Sequence, residues 1–374
     1  MTACDACLRR TDLIVAVSGS IDIAWRERRG RTARVLALPD EELLGLDPAA
    51  LSRYETFNAA FARRRIAAAG LTAVCRCANG YPERLRELPD PPAVLHVAGS
   101  LAALPAAEAV AIVGSRRATP YGLEVASALG RALTAAGVLV ISGMALGIDS
   151  AAHLGALEAP RIGVHPPPRA APPPAAGVAA PPVAVLAGGA ETAYPARMRH
   201  LHARLIDAGA VVSEMPPGFG GQRWCFPARN RIIAALSTVT IVVEAATRSG
   251  SLITADLATD LGRTVAAVPG PVTSRYSAGA NELLHAGAAV IRDARDVLDL
   301  LFGADASRLP EPQPLPPLDP AQCRLLEAVE RGHGTVAELA RTMEEAQAAS
   351  RTLSELELLG LVRREFGGRY VRCL

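Results

Sequence analysis

The sequence predicts an α/β protein with an extended Rossmann-like parallel sheet, which lies between a small N-terminal helical domain and a C-terminal winged helix. Between residues 110 and 302, short β-branched runs alternate with glycine-rich turns and with segments of helical periodicity. Two proline-rich stretches interrupt the chain, one inside this pattern and one after it. The alternation favours a doubly wound sheet, and the second proline-rich stretch separates it from a short C-terminal part.

Seven continuous apolar runs are the predicted strands of this sheet. They do not alternate between apolar and polar residues, which is typical of parallel strands that are covered on both faces. The predicted strands span residues 110–113, 138–141, 183–186, 210–212, 239–243, 265–268 and 288–291.

The parts on either side of the sheet are predicted from spacing and composition. Residues 11–70 are rich in Arg and Leu, with helix-like spacing and no clear strand. After the second proline-rich stretch, three helical segments precede a hairpin that turns at Gly367 and Gly368, which is the element order of a winged helix. The predicted domains are residues 1–78 (helical), 79–305 (Rossmann-like, with a Pro/Ala-rich insertion at 159–182), 306–319 (linker) and 320–374 (winged helix).

The composition limits the possible classes of function. The chain has 374 residues, a formal net charge of +2 and 39 basic residues, all of which are arginine because the sequence contains no lysine. The lack of lysine excludes chemistry that depends on a P-loop, kinase or Schiff-base lysine. Because the net charge is small, attraction to nucleic acid requires local clusters of arginine.

The apolar runs and the cysteines bear on the cellular location. No apolar run reaches the length of a membrane span and no secretion signal begins the chain, so we expect a cytoplasmic protein without a membrane partner. The seven cysteines are odd in number and widely spread, so we expect reduced thiols and no bound metal. A zinc site at Cys4, Cys7, Cys75 and Cys77 is the alternative, but a CxxC and a CxC so far apart form a weak pattern.

Glycine-rich turns follow four of the predicted strands, at the edge where open parallel sheets bind ligands. Glycine lets the backbone approach a phosphate and helix N-termini favour anions, so we expect a ligand that carries phosphate. For any single turn, the alternative is that glycine only permits a tight connection. Neither GxGxxG nor GxxxxGK[ST] occurs, which disfavours a nucleotide cofactor. The turns contain Gly114-Ser115-Arg116-Arg117, Gly143, Gly188-Gly189 and Arg248-Ser249-Gly250-Ser251.

The densest basic stretch is QRWCFPARNR at residues 222–231, which precedes a predicted helix. It contains three arginines and two aromatic residues. Arginine pairs with phosphates and aromatic faces stack on unpaired bases, so the stretch predicts contact with single-stranded nucleic acid. The alternative is that Trp224 and Phe226 belong to the core and the arginines to a solvated rim.

Together these segments resemble the DprA/Smf family of DNA-processing proteins. The resemblance implies a SAM-like helical N-terminal domain, a Rossmann-like domain that binds single-stranded DNA, and often a winged helix. It also implies a homodimer without catalytic activity, which protects incoming DNA during natural transformation and loads the RecA recombinase on it. The residues that carry it are Tyr81-Pro82, AIVGSRRATPYG (111–122), ISGMALGIDSAAHLGAL (141–157), FPARNRIIAALS (226–237), VVEAATRSGSLITADLATDLGR (242–263) and VPGPVTSRYSAGANELLHAGA (268–288).

The turns and the resemblance together predict one site for single-stranded DNA and no cofactor. Position 198 departs from the family pattern because Met198 replaces the usual Asn, so we expect Arg197 to supply the contact there. The predicted site residues are Gly114, Ser115, Arg116, Gly143, Arg197, Arg223, Phe226, Arg229, Asn230, Arg231, Ser249, Gly250 and Ser251.

Two other functions compete with this prediction. Related Rossmann-like proteins hydrolyse the N-glycosidic bond of nucleotides, for which Glu244, Asp149 and Asp256 could supply acid and base groups. Helix capping is the structural alternative for the two aspartates. A ligand-sensing transcription factor is the third hypothesis, but the predicted recognition helix at 346–359 has two glutamates and one arginine, which is unfavourable for duplex phosphates.

Overall fold

The computed structural model describes residues 3–27, 33–102, 104, 108–159, 180–304, 318–364 and 367–372. The chain forms two compact units, Met1–Leu309 and Pro310–Leu374. Most of the predicted insertion (159–182) and of the predicted linker (306–319) lies outside the described residues. No helix within the described ranges is both long enough and apolar enough to span a membrane.

The first unit is built on a sheet of nine strands. In chain order they are β1 (Thr72–Cys75), β2 (Val94–Gly99), β3 (Ala109–Val113), β4 (Leu139–Ser142), β5 (Val183–Val185), β6 (Ala210–Ser213), β7 (Val239–Val242), β8 (Thr264–Ala267) and β9 (Ala289–Val290). Their order across the sheet is β1-β2-β6-β5-β4-β3-β7-β8-β9. The strands from β6 to β9 in this order pair in parallel, and these are the seven predicted strands. The sequence did not predict β1 and β2, which extend one edge in antiparallel pairing.

Fourteen helices of the first unit lie within the described residues. They are α1 (Asp5–Ala16), α2 (Ser18–Glu27), α3 (Ala33–Leu36), α4 (Asp40–Leu46), α5 (Ala50–Glu55), α6 (Ala59–Ala68), α7 (Glu83–Arg86), α8 (Pro120–Ala135), α9 (Ile148–Glu158), α10 (Arg199–Ala208), α11 (Cys225–Leu236), α12 (Gly250–Asp260), α13 (Ala278–His285) and α14 (Ala294–Phe302). A short 3-10 turn, Ala196–Met198, precedes α10.

Helices cover both faces of the sheet, as the continuous apolar strands require. All five residues of β3 are buried. Val110 and Ile112 pack into a cluster with α8, α9 and α14, whereas Ala111 and Val113 pack into another with α7, α11, α12 and α13. Alternate side chains of one strand therefore enter two separate cores, and this fixes the parallel sheet between two helical layers.

The N-terminal helices pack against the Rossmann-like part of the same unit. Leu13 of α1, Ile21 of α2 and Leu43 of α4 share a buried cluster with Trp224 and with Ala228 of α11. Trp224 is fully buried, and its indole Nε1 donates to Ser18 Oγ at 3.1 Å. Trp224 is thus a core residue that joins the two parts, and the boundary at residue 78 stays a prediction.

The second unit contains α15 (Pro320–Glu330), α16 (Val336–Leu339), α17 (Met343–Leu358), β10 (Val362–Arg364) and β11 (Tyr370–Arg372). The two strands pair in antiparallel fashion. Each helix begins with a capping box, in which the N-cap side chain and the side chain three residues later bond each other's backbone N–H groups. The order of three helices and a two-stranded sheet agrees with the sequence prediction.

Candidate functional site

A cleft opens at the carboxyl ends of β3 and β7, which are neighbours in the sheet. The chain leaves β3 towards β4 on one side and later returns to β7 on the other, so the connections diverge between these two strands. Such a switch point is where open parallel sheets leave a crevice for a ligand. The crevice, called here the switch-point cleft, has a volume of about 660 Å³.

The wall of the switch-point cleft is strongly basic. Among the described residues that line it, Asp149 is the only carboxylate, and its side chain is buried. Arg116, Arg223 and Arg248 are exposed and form no ion pair with another described residue. The cleft therefore offers unneutralised guanidinium groups to an anionic ligand. Its six arginines are Arg116, Arg117, Arg223, Arg229, Arg248 and Arg275.

Aromatic rings stand beside these arginines. The guanidinium carbon of Arg116 lies 5.3 Å from the ring centre of Phe226, and the ring of Tyr194 lies 5.6 Å from that of Phe226. Tyr194 is exposed and Phe226 is half-buried. Farther along the wall, Arg275 lies over the ring of Tyr276 at 5.0 Å. Flat apolar faces next to cations suit a ligand that has both bases and phosphates.

The N-terminus of α12 opens into the cleft. Ser249 is the N-cap of the helix, its Oγ accepts from the N–H of Ser251, and the two hydroxyl oxygens lie 2.7 Å apart. A Cβ placed on Gly250 would meet no atom within 4 Å, so the space above the first helical turn is open. The helix dipole at such an end attracts an anion.

Two of the predicted glycines are explained by packing instead. A Cβ on Gly114 would lie 2.6 Å from Cγ1 of Ile148, and one on Gly143 would overlap the buried guanidinium of Arg229. Both positions require glycine because of neighbouring protein atoms. The structural alternative that the sequence left open therefore accounts for these two turns.

Arg229 lies mostly beneath the floor of the cleft. Its Nη1 donates to the carbonyl oxygens of Gly143, at 2.8 Å, and of Val185. Only 6% of the residue is exposed. Burial lowers the pKa of Arg229 to about 10, against the opposing effect of the nearby Asp149. The side chain ties together the ends of β4 and β5, and it lines the cleft although the residue is buried.

The predicted contact between Arg231 and the ligand is wrong for this structure. Arg231 is 3% exposed and forms salt bridges with Asp90, at 2.8 Å, and with Glu214, at 2.8 Å. Burial alone would lower the pKa of this guanidinium, but the two carboxylates outweigh it and raise the pKa above its usual value. The stretch at 222–231 does not simply precede a helix: α11 begins at Cys225, and its turn carries Arg231 away from the cleft.

Most of the other predicted site residues do meet in one place. Gly114, Ser115, Arg116, Arg223, Phe226, Asn230, Ser249, Gly250 and Ser251 line the switch-point cleft. Gly143 lines a smaller adjoining cavity, which it shares with Arg116 and Phe226. Arg197 is exposed in the 3-10 turn and does not line the cleft, while Met198 packs against a core cluster.

Sequence reasoning missed several residues of the cleft wall. Arg117 and Arg248 stand in turns that were identified but were not assigned to the site. Arg275 and Tyr276 follow β8, so the rule that ligands collect at carboxyl strand ends could have found them. Trp25 comes from α2, and no signal in the sequence connects it to the cleft.

The carboxylates suggested for an enzyme do not form a pair. Asp149 accepts from the N–H of Gly143 at 3.1 Å and of Ala145 at 3.4 Å, and burial raises its pKa. Glu244 is bound by the N–H and hydroxyl of Thr119 and lines a different cavity. Asp256 is exposed in the middle of α12, so the capping interpretation is wrong for this residue.

Comparison with protein families gives one match that covers most of the first unit. The family model for DNA recombination-mediator protein A matches residues 72–302. A putative DNA processing protein DprA of Mycobacterium tuberculosis is 41% identical over 239 residues, which are 63% of this chain and 57% of that protein. This chain therefore matches just over half the length of that relative. The protein Smf of Synechocystis is 32% identical over 331 residues, or 78% of each chain.

Solved structures of two DNA processing proteins resemble this one. DNA processing protein A from Streptococcus pneumoniae superimposes with a TM-score of 0.59 at 27% identity, covering 80% of this chain and 98% of that one. The protein of the same name from Helicobacter pylori gives a TM-score of 0.52 at 28% identity, covering 62% and 95%. The Helicobacter structure was described for its mode of binding single-stranded DNA.

Proposed function

Because the chain belongs to the family of DNA recombination-mediator protein A, also called DprA or Smf, we propose that it binds single-stranded DNA and delivers it to the RecA recombinase. The switch-point cleft is the binding site in this proposal. The Helicobacter relative, whose structure concerns single-stranded DNA, supports the choice of ligand.

The observation that carries the proposal is the combination of charge and aromatic faces in the cleft. Its wall has six arginines and one buried carboxylate, next to the rings of Phe226 and Tyr276. Guanidinium groups form strong charge-assisted hydrogen bonds with phosphate oxygens, and every base can stack on an aromatic face. A strand that crosses the cleft thus places phosphates at Arg116, Arg223 and Arg248 and a base near Phe226.

The same features favour a single strand over a duplex. In a duplex the base faces are stacked on one another, so Phe226 and Tyr194 would have no face to contact. An unpaired base can instead turn towards these rings while its phosphate meets Arg116. We propose no catalytic step at this site, since Asp149 and Glu244 belong to different cavities.

Delivery to RecA, a homodimeric state and a role in natural transformation follow from family membership alone. Within this proposal, residues 1–78 are a SAM-like domain, 79–305 the DNA-binding domain, 306–319 a linker and 320–374 a winged helix that contacts protein or weakly contacts duplex. The segment at residues 281–287, which covers most of α13 and the turn after it, is the proposed face for the second copy or for RecA.

A binding comparison tests the proposal. Fluorescence anisotropy would measure the Kd for an unstructured labelled oligonucleotide and for a duplex of equal length, each at two salt concentrations. We expect tighter binding of the single strand. We also expect a loss of affinity at higher salt, because the release of counterions from the DNA then contributes less free energy to binding. Equal or tighter binding of the duplex would contradict the proposed ligand.

A second assay separates binding from delivery. The chain is added to RecA and to an oligonucleotide covered with single-strand-binding protein. The rate of ATP hydrolysis by RecA then measures filament formation. Faster filament formation is the expected result. Tight binding of the single strand without any acceleration would refute delivery and leave the DNA site standing.

A further inference from the structure

Four cysteines from two distant parts of the chain meet beside the first strand of the sheet. Cys4 is the N-cap of α1 and Cys7 lies in its first turn, whereas Cys75 ends β1 and Cys77 lies in the turn after it. Antiparallel pairing of β1 with β2 holds the second pair at the edge of the sheet. The fold therefore closes the long sequence gap that made this pattern weak.

The sulfur atoms are arranged as ligands of a single ion. All four Sγ atoms lie within 4.8 Å of one another, and those of Cys7 and Cys77 are 3.7 Å apart. Zinc–thiolate bonds of about 2.3 Å in a tetrahedron separate the sulfurs by about 3.8 Å. Thiolates around a four-iron cluster are spread more widely, because each binds a different corner of the cluster. In the described part of the chain, this is the one such group of metal-ligating side chains.

We propose that Cys4, Cys7, Cys75 and Cys77 bind one zinc ion as a tetrathiolate. The site is structural, because all four tetrahedral positions are filled by protein and no position is open for a water or a substrate. It replaces the earlier expectation of four unligated thiols.

The surroundings hold the ligands in place. The N–H of Cys4 points at Sγ of Cys75 over 3.5 Å, as backbone donors around thiolate sites do. The guanidinium of Arg86 donates to the carbonyl oxygens of Arg76 and Ala78, on either side of Cys77. On the other side, Arg63 donates to the carbonyl oxygen of Ala3 at 2.9 Å. The contacts of Arg86 and Arg63 therefore hold the backbone of both ligand pairs without using the sulfurs.

A bound ion would fasten the start of the chain to the edge strand. The two pairs are about seventy residues apart, so the ion closes a long loop and removes much conformational freedom from the unfolded chain. The loop includes α1 and α2, which pack on Trp224 and bring Trp25 to the cleft. None of the four cysteines lines the cleft, so this inference stands apart from the proposed DNA binding.

Metal analysis of the full chain tests the proposal. The protein is purified under reducing conditions without added metal, and its zinc and iron are measured by inductively coupled plasma mass spectrometry. We expect about one zinc per chain. Replacement by cobalt(II) gives the absorption of a tetrahedral tetrathiolate site, together with thiolate-to-cobalt charge-transfer bands.

Variants locate the site. Cys7→Ser and Cys77→Ser should reduce the zinc content from about one per chain to near zero and lower the Tm. Cys323→Ser is the matched control, since this exposed cysteine lies in α15 outside the cluster. It should retain the zinc.

Three results would overturn the proposal. In the first, the folded wild-type chain neither contains zinc nor gives a tetrahedral cobalt spectrum. In the second, the purified protein contains iron in place of zinc, and in the third, both cluster variants retain zinc. The first result needs only the wild-type chain, so the test does not depend on the folding of a variant. A wild-type chain that binds single-stranded DNA but no zinc would refute the metal site and leave the proposed DNA binding standing.

Discussion

In the proposed complex, replacing Arg116 with alanine removes a phosphate contact from the switch-point cleft. Arg116 is exposed, has no ion-pair partner among the described residues, and lies over Phe226 at 5.3 Å. Its loss therefore leaves no buried charge behind, and the change in binding reports the contact itself. A hydrogen bond to a charged group contributes about 1.5–3 kcal/mol, so Arg116→Ala should weaken single-strand binding by about 10- to 150-fold.

The dependence on salt distinguishes a phosphate contact from a general loss of charge. One lost phosphate contact lowers the slope of log K against log salt by about 0.7 for a single strand. The assay is an anisotropy titration of a labelled oligonucleotide at five salt concentrations. Arg131→Ala is the control, because this exposed arginine of α8 pairs with Glu158 away from the cleft and its removal changes the net charge equally. If both variants reduced affinity and slope by the same amount, the assignment of Arg116 would be refuted.

Three further predictions concern the core, the helix terminus and pH. Arg231→Leu leaves two buried carboxylates unpaired and should cost about 3–5 kcal/mol of unfolding free energy in urea titrations; a loss below 1 kcal/mol would contradict the buried triad. In Gly250→Asp, the new side chain enters open space at the N-terminus of α12, so the variant should keep the Tm of the wild-type chain. Its carboxylate should repel phosphate and weaken DNA binding about tenfold; unchanged affinity would refute the anion site. Burial lowers the pKa of His96 and His153 from 6.5 to about 4, so the unfolded chain binds more protons between these values and stability falls as the pH drops through this window. The loss is about 2 kcal/mol per histidine between pH 7 and 5, and His153→Leu should reduce this dependence in denaturation curves at the two pH values.

The parallel sheet could be predicted because each of its strands is an apolar run and four of these runs precede a glycine-rich turn. Residues 110–113 and 239–243 are examples, and both strands appear close to the predicted bounds. The strands β1 and β2, which extend one side of the sheet, carry no such signature. They pair in antiparallel fashion without a crossover helix, and β2 has a buried histidine, His96, inside its apolar run.

The site was predictable at the strand ends, but the roles of the two arginines in α11 were not. Arg229 and Arg231 are two residues apart, so they point to different sides of a helix. One meets the carbonyl groups at the ends of β4 and β5, and the other meets Asp90, which is 141 residues away in sequence. A basic run looks the same in sequence whether its arginines face a ligand or a buried carboxylate. Only the fold supplies the partners.

Photocrosslinking tests the central claim most directly, because it asks where the DNA lies. An oligonucleotide with 4-thiothymidine at every third position is bound to the full chain and irradiated, and the adducts are mapped by mass spectrometry. The proposed site predicts adducts on the wall of the switch-point cleft, at Phe226 and Tyr276 above all, and their loss on competition with unlabelled single strand. Adducts confined to residues 320–372, with none on the cleft, would contradict the claim.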